Sequence, residues 1–290
     1  MKPHFHKVPV QSQSSYSIRH DRLPSFPTIW HYHPEIELHY TMRGEGVRFI
    51  GDNISNFTAG EMILLGENLP HTWQCQEAYF QEDLGLTVEA LVLHFSPDCL
   101  GRDFLTLPEA YLVPKLLEDA KQGLIIKGDT KTQLARLMHS ALTAAYLDRL
   151  INLLSILKVL AESNTTETIA SAYAPNPTNA SEAKRLDEIY SYTFANYKKD
   201  ITLEEISSVA NLSVTSFCRY FKQMTQKTYY DFLTEVRINH VCRALVEDKL
   251  PTDVICFEHG FNNVSNFYRH FKKVTKMTPL RYKKKYLKSS

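Results

Sequence analysis

Two segments of the chain carry arginine and lysine at one repeated spacing that suits contact with a polyanion. Val214–Thr225 (VTSFCRYFKQMT) aligns with Val264–Thr275 (VSNFYRHFKKVT) at an offset of 50 residues. In both copies the order Phe-x-Arg-x-Phe-Lys puts two phenylalanines one helical turn apart, with the arginine and lysine on the opposite face. Arginine can make two hydrogen bonds to a guanine edge in the major groove of DNA, which admits one helix. The repeat therefore predicts two amphipathic helices with cationic outer faces.

A second group of side chains has the chemistry to bind a metal ion or a small polar molecule. His31, His33 and Glu37 lie close together in the sequence, and His71 follows beyond a series of turns. Imidazole and carboxylate groups are suitable ligands for Zn, Fe, Mn or Ni. On strands, His31 and His33 would point to one side, and Glu37 and His39 would share that parity. If that side faces inward, a polar cluster lines the interior of the domain.

The same cluster also suits a ligand rich in hydroxyl groups. Carboxylate and imidazole groups exchange hydrogen bonds with hydroxyls, and aromatic faces stack on sugar rings. The predicted effector-binding residues are Trp30, His31, His33, Glu37, Tyr40, His71 and Trp73.

The residues before each cationic segment predict short helices joined by turns. Thr202 and Glu205 form a capping box, and Ser213 can cap the next helix. In the second copy Asp253 can cap a helix and Gly260 allows the turn. Two short helices joined in this way form a helix-turn-helix. Between the copies, residues 229–245 have helical apolar spacing over about 25 Å, which would hold the cationic helices about one DNA turn apart.

The first half of the chain predicts strands followed by helices. Residues 36–42 alternate between apolar and polar side chains, and 47–50, 62–65 and 90–95 are short apolar runs between turns. This pattern is typical of an antiparallel sandwich or barrel. From 108 to 161 the apolar spacing becomes helical. These helices would pack on the sheet or, as a long apolar stripe, form a dimer interface.

Charge and composition divide the chain into two domains. The net charge of +1 over 290 residues combines +8 in residues 184–290 with −7 in residues 1–183. Residues 163–181 are polar and contain two prolines, which is typical of a linker. We therefore expect an α+β multidomain protein, with an antiparallel β-barrel plus helices at 1–162, a linker at 163–181 and an all-α domain at 182–290.

Several protein classes do not fit the sequence. No apolar run approaches the roughly 18 residues of a membrane-spanning helix, and no secretory signal follows Met1, so we expect a cytoplasmic protein without a membrane partner. Five cysteines without a CxxC pair predict reduced thiols. The sequence has no P-loop, GxSxG or HExxH motif, and we expect no enzymatic activity.

The C-terminal segment resembles the AraC/XylS family of transcription regulators. The matching residues are 206–221, 258–273 (ExGFNNxSxFxRxFKK) and 277–282 (MTPxxY), within a resemblance that covers about 184–287. It implies a double helix-turn-helix domain that binds double-stranded DNA. The resemblance implies that the groove-facing residues are Thr215, Cys218, Arg219, Ser265, Tyr268 and Arg269. The phosphate contacts would be Lys222, Asn263, Asn266 and Lys272, and Ser216 is a further expected DNA-binding residue. Gln226 and Lys276 depart from the family's usual glycines, and a left-handed conformation there would cost about 1 kcal/mol each.

Residues 31–71 resemble the two motifs of the cupin barrel. The matching residues are His31, His33, Glu37, Gly44, Gly60 and His71, while Gly66 and Asn68 replace the usual Pro and Gly of the second motif. In metal cupins the residues that match His31, His33, Glu37 and His71 bind a divalent ion. Regulators with this barrel commonly bind a small effector without a metal. The sequence leaves both alternatives open, so a divalent ion is the candidate cofactor.

These features together predict a sequence-specific DNA-binding regulator whose N-terminal barrel binds a small effector, such as a sugar or a related metabolite. The expected partners are double-stranded DNA, the effector and a second copy of the chain, with RNA polymerase as a further candidate. The alternative is a cupin-type metalloenzyme that acts on a small molecule. That alternative rests on four ligand positions and leaves the C-terminal repeat unexplained.

Overall fold

The computed structural model describes residues 14–27, 30–171, 180–247 and 249–287. The chain divides into two units, Pro3–Asn176 and Pro177–Ser290. This division falls inside the polar, proline-containing segment that the sequence marks as a linker. Residues 1–13 of the predicted N-terminal domain and 172–179 of the predicted linker lie outside the described residues.

Short strands build the first part of the N-terminal unit, as its alternating pattern predicts. They are β1 (Ser17–Leu23), β2 (Ile36–Arg43), β3 (Gly46–Ile50), β4 (Asn53–Phe57), β5 (Met62–Leu65), β6 (His71–Cys75), β7 (Val88–Phe95), β8 (Leu124–Ile126) and β9 (Thr166–Thr168).

The strands form two antiparallel sheets with a core between them. The larger sheet has the order β1-β7-β2-β5-β8-β9, and the smaller one has the order β4-β3-β6. Among the described residues neither sheet closes on itself, so the closed barrel expected from the sequence is not shown. The reason is that each sheet ends in edge strands, and His31 joins His71 through an isolated bridge rather than a continuous ladder.

Both faces of the larger sheet are buried at its central strands β2, β5 and β7. Towards the smaller sheet, Ile63 and Val92 pack in one apolar cluster with Ile50. On the opposite face, Leu38 and Leu91 pack in a second cluster with residues of the following helices. Successive side chains of a strand point to opposite faces, so the alternation along β2 sends Glu37 and Leu38 into different surroundings.

Three helices cover the outer face of the larger sheet: α1 (Val113–Ala120), α2 (Gly128–Thr143) and α3 (Tyr146–Ala161). The expectation of helices throughout 108–161 is wrong at β8. This strand follows α1 and precedes α2 along the chain, and it pairs with β5 of the larger sheet. Leu124 and Ile126 are buried on one side of this short strand, and glycines with positive φ at 123 and 128 turn the chain on either side.

The predicted linker at 163–181 begins too early. Residues 166–168 form β9, which pairs with β8 at the edge of the larger sheet. The polar side chains that suggested a linker lie on this edge strand, where one or both faces meet solvent. On the C-terminal side, a helix begins at Ala180.

The C-terminal unit is helical, as the apolar spacing predicts. Its helices are α4 (Ala180–Asn196), α5 (Leu203–Val209), α6 (Val214–Thr225), α7 (Tyr229–Glu247), α8 (Thr252–Glu258), α9 (Val264–Thr275) and α10 (Pro279–Leu287). α5 packs on α6, and α8 packs on α9. We refer to these as the first and second helix pairs.

Helix α7 contributes to the packing of both helix pairs. Near its start, Phe232 packs against Phe221 of α6, with ring centroids 5.4 Å apart. Further along, Val241 and Leu245 join a buried cluster with Phe267 of α9. One continuous helix therefore supports both pairs, as its predicted role as a spacer requires.

Among the described residues, no helix combines the length and the apolar character that crossing a bilayer requires. All five cysteines are free thiols, as the absence of a CxxC pair predicts.

Candidate functional site

The first helix pair follows its predicted caps and exposes a cationic face. Thr202 and Glu205 form the reciprocal capping box of α5, and the Ser213 side chain accepts a hydrogen bond from the Ser216 backbone N–H at the start of α6. Phe217 and Phe221 are completely buried. The predicted residues Thr215, Cys218, Arg219 and Lys222 are exposed, whereas Ser216 is half-buried.

The second helix pair repeats this arrangement on α9. Phe267 and Phe271 are completely buried, and the predicted residues Ser265, Asn266, Tyr268, Arg269 and Lys272 are all exposed. The Arg269 guanidinium donates to Asn266 Oδ1 at 3.2 Å. Arginine therefore stands on the solvent side of both helices, and each buried phenylalanine pair anchors the opposite side.

Two details of the second pair differ from the sequence prediction. Helix α8 begins at Thr252, after Pro251, so Asp253 lies in its first turn and is not its N-cap. The Asn263 side chain is exposed, but its Oδ1 accepts from the Asn266 backbone N–H at 2.9 Å and caps α9. Only the amide nitrogen of Asn263 is therefore left for the phosphate contact predicted from the sequence.

Both cationic helices end in the same strained turn. Gln226 follows α6 with φ of 57°, and Lys276 follows α9 with φ of 59°. In each turn a threonine side chain contacts the backbone two residues later, Thr225 at Lys227 and Thr275 at Met277. The repeat thus extends through the turns, although neither position carries the glycine that this conformation favours.

A buried polar cluster lies between the two sheets of the N-terminal unit. Glu37 on β2 is buried, and its Oε2 lies 3.0 Å from His33 Nε2, 2.8 Å from His94 Nε2 and 3.5 Å from His71 Nε2. The His31 ring is 4.3 Å from the His71 ring, centroid to centroid. The structure therefore brings together the four residues predicted as metal ligands, together with His94.

The protonation of this cluster is set by one carboxylate among imidazoles. Burial raises the pKa of Glu37, but the charge of His94 and the hydrogen bonds from His33 and His94 hold it well below its ordinary value. Burial lowers the pKa of His33, yet the hydrogen bond and charge of Glu37 raise it overall. Burial lowers the pKa of His94 more than Glu37 raises it. Glu37 thus favours its ionised form, and of these two histidines it is His33 whose protonated form the carboxylate favours.

The cluster has the donor set for a divalent ion. One ligand atom from each of His31, His33, Glu37 and His71 can be chosen so that all lie within 4.8 Å of one another. His71 Nδ1 bonds the Leu69 carbonyl at 2.7 Å, while its Nε2 is buried and makes no hydrogen bond among the described residues. A histidine held through one nitrogen with the other free is the usual arrangement of a metal ligand, so these residues fit such an ion.

The aromatic residues predicted for the pocket divide between the two sides of the sheet. Trp30 and Trp73 are buried, and Trp73 stacks on His39 with ring centroids 4.2 Å apart. The assignment of Tyr40 to this pocket is wrong. Tyr40 packs on the helix side of the larger sheet, because it lies one residue out of phase with His39.

Two buried residues of the interior, His94 and Arg48, were missed in the sequence, and His39 was given the parity of Glu37 but was not assigned to the pocket. His94 is paired with Glu37 in the ladder between β7 and β2; its phase with Ala90 and Val92 along β7 could have revealed it. His39 has the parity of Glu37, and burial lowers its pKa to about 4. Arg48 faces inward beside Trp73, its ladder partner.

Arg48 places a buried cation in the interior of the N-terminal unit. Its Nε donates to Glu61 Oε1 at 2.9 Å, while its Nη1 is buried without a hydrogen-bond partner among the described residues. An unsatisfied buried guanidinium nitrogen is costly unless another acceptor reaches it. No feature of the sequence singles out Arg48, because an arginine on a short strand usually faces solvent.

Two family models match the two units. The AraC-like ligand binding domain matches residues 15–102, and a helix-turn-helix domain matches residues 206–285.

Named relatives match either about a third or most of this chain. YdeC of Bacillus subtilis, an uncharacterized HTH-type transcriptional regulator, is 32% identical over 103 residues, which are 36% of this chain and 35% of that protein. The chain thus matches about a third of YdeC. The melibiose operon regulatory protein of Escherichia coli is 22% identical over 91% of this chain and 86% of its own length. The transcriptional activator RhaR of E. coli is 24% identical over 91% of this chain and 89% of its own length.

A ligand-binding domain followed by a helix-turn-helix domain defines the class of DNA-binding transcription regulators with an N-terminal ligand-binding domain. Within that class, the chain belongs to the AraC/XylS family of transcription regulators.

Proposed function

We propose that the chain is a dimeric, sequence-specific DNA-binding regulator that acts in the cytoplasm and responds to a small polar effector. The observation that carries the proposal is the duplicated geometry of α6 and α9. Each has 12 residues, a side-chain N-cap, a buried phenylalanine pair, exposed arginine and lysine, and a left-handed C-cap. We interpret the two helix pairs as two helix-turn-helix motifs that enter successive major grooves.

The phosphate contacts of this interface can be tested by salt dependence. Lys222 and Lys272 are exposed next to the proposed base-contacting arginines. Lys222→Ala and Lys272→Ala should each weaken binding to all duplexes about equally and reduce the slope of log K against log salt by about 1. Lys115→Ala, an exposed lysine of α1, is the matched control. A salt slope that no variant changes would contradict the assignment.

The buried cluster supports a hydroxyl-rich effector. The Glu37 carboxylate, the imidazoles of His33 and His71 and the Trp73 ring supply acceptors, donors and a stacking face in one dry interior. One relative is named for a melibiose operon, and melibiose is a sugar, which supports this ligand class. Calorimetric titration with a panel of sugars should give saturable heat that Glu37→Gln abolishes and the exposed control Glu118→Gln preserves. Saturation by another metabolite class alone would refute the sugar assignment.

An apolar stripe on α3 supports the dimer. Leu147, Ile151 and Leu154 are 66%, 53% and 38% exposed and recur at helical spacing, next to the exposed Tyr146. Large apolar side chains in a row on a helix surface are typical of an interface. Ile151→Glu should shift the chain from dimer to monomer in sedimentation equilibrium, whereas Lys115→Glu should not. A monomeric unmodified chain would refute this part of the proposal.

The regulatory step follows from linkage between the two domains. An effector that binds one arrangement of the N-terminal unit more tightly shifts the population of dimers that are competent to bind DNA. RNA polymerase is the candidate partner through which bound dimers change transcription.

A second candidate function, a metal-dependent enzyme, is favoured by one observation. Ligand atoms of His31, His33, Glu37 and His71 converge within 4.8 Å of one another. A divalent ion held there would act as a Lewis acid on a small substrate. Mass spectrometry of the untagged chain tests this: one equivalent of metal, lost in His71→Ala, would support it, and only trace metal would remove its basis.

A further inference from the structure

A cleft lies on the outer face of the larger sheet, on the other side of β2 from the polar cluster. It has a volume of about 470 Å³ and is lined by Tyr40, Lys131, Thr132, Ala135, Arg136 and His139. All of these except Tyr40 belong to α2. The volume is that of a site for a small organic ligand.

The lining of this cleft is cationic and contains no carboxylate. Lys131 Nζ donates to the Gly60 carbonyl at 2.8 Å, which fixes the ammonium at the wall and leaves two N–H groups for a ligand. Glu61, near Lys131, is already bound to Arg48 at 2.9 Å; burial raises its pKa, although the charges of Arg48 and Lys131 oppose this. Arg136 is exposed and has no hydrogen bond or ion pair with any other described residue.

These groups define the chemistry of a matching ligand. A guanidinium offers a planar fork of N–H donors that fits a carboxylate or a phosphate in a bidentate manner, and a nearby ammonium adds a second charge. The Tyr40 ring and the Ala135 methyl group supply an apolar wall on the sheet and helix sides. The Thr132 hydroxyl adds one further hydrogen-bond donor.

We propose that this cleft binds a small organic anion, a carboxylate or a phosphate monoester with a compact apolar part. Arg136 and Lys131 hold the anionic group, and Tyr40 packs on the apolar part. This site differs from the effector site between the sheets, because Tyr40 and Glu37 lie on opposite faces of β2. The ligand would bridge the sheet and α2, the helix that packs against α3.

The test uses the full chain and three probes that share one ring: benzoate, phenyl phosphate and the neutral benzamide. Ligand-observed NMR should show saturable binding of at least one of the two anions and much weaker binding of benzamide. The anion that binds more tightly shows whether the natural ligand is a carboxylate or a phosphate monoester. Arg136→Gln and Lys131→Gln should each weaken anion binding about tenfold or more, and Ala135→Trp should block it by filling the cleft. Arg22→Gln, an exposed arginine of β1, should leave it unchanged.

Three results would overturn the proposal. The first is no saturable binding of either anion. The second is equal binding of benzamide, which would mean that the cationic wall does not select the ligand. The third is anion binding that survives both Arg136→Gln and Ala135→Trp. Because the measurement contains no DNA and no sugar, its outcome is independent of the proposed regulatory function.

Discussion

Replacing Arg269 with alanine should remove base discrimination at one position of the DNA site while leaving the fold intact. Arg269 is exposed on α9, and its guanidinium makes a hydrogen bond with the equally exposed Asn266. The neighbouring anchors Phe267 and Phe271 are completely buried and do not depend on it. Surface substitutions of this kind change the free energy of unfolding by no more than about 0.5 kcal/mol.

The expected loss in DNA affinity is much larger than this. A bidentate arginine contact with guanine contributes about 1–3 kcal/mol of discrimination, which corresponds to roughly 5- to 150-fold in affinity. Swinging the side chain towards a base breaks the 3.2 Å bond to Asn266. Both residues are exposed, so water replaces that hydrogen bond, and its loss reduces the free energy gained from the guanine contact only slightly.

Fluorescence anisotropy with the preferred duplex and with single-base variants of it measures this effect. For Arg269→Ala, affinity for the preferred duplex should fall by roughly 5- to 150-fold. The duplexes that differ from it at one particular base pair should then all be bound with the same affinity. Arg22→Ala, on the other unit, is the matched control and should bind as the unmodified chain does. An equal fall for every sequence would show that Arg269 contacts phosphate only, and no fall would show that α9 does not enter the groove.

Other consequences of the structure are open to direct measurement. Gln226→Gly and Lys276→Gly should each raise the free energy of unfolding by about 1 kcal/mol, because both residues occupy left-handed conformations; urea unfolding that shows no gain would contradict the turn geometry. Burial and nearby cationic groups lower the pKa of His240 from 6.5 to about 3. The stability linked to its neutral form is therefore complete above about pH 6.5 and is lost as the pH falls towards 3. The loss between pH 7 and pH 5 should be about 2 kcal/mol smaller in His240→Phe, which keeps the stack on Tyr197; equal losses would refute the assignment.

The C-terminal unit could be predicted well because its signals are local. The spacing of Phe217 and Phe221 specifies a buried helix face, and the Thr202 capping box specifies a helix start. The left-handed turns at Gln226 and Lys276 follow from where the helices must end, even though the residue types disfavour them. The predicted start of α8 is two residues too late, because Pro251 and not Asp253 is the residue before the helix.

The N-terminal unit could be predicted in class but not in detail, because its contacts are between distant segments. Period-two alternation along β2 places Glu37 correctly, and the same rule excludes Tyr40 from its pocket. It does not show that His94, 57 residues after Glu37, is its ladder partner. Strand β9 was missed because three polar residues at a sheet edge carry no apolar pattern.

Selection of binding sites from a random DNA pool by the full chain tests the central claim most directly. The account predicts enriched duplexes with two specified blocks about 10 base pairs apart, centre to centre. It further predicts that Arg219→Ala removes the specificity of one block and Arg269→Ala that of the other. A pool without enriched sequence, or a single block that both substitutions weaken alike, would contradict two helices that enter successive grooves.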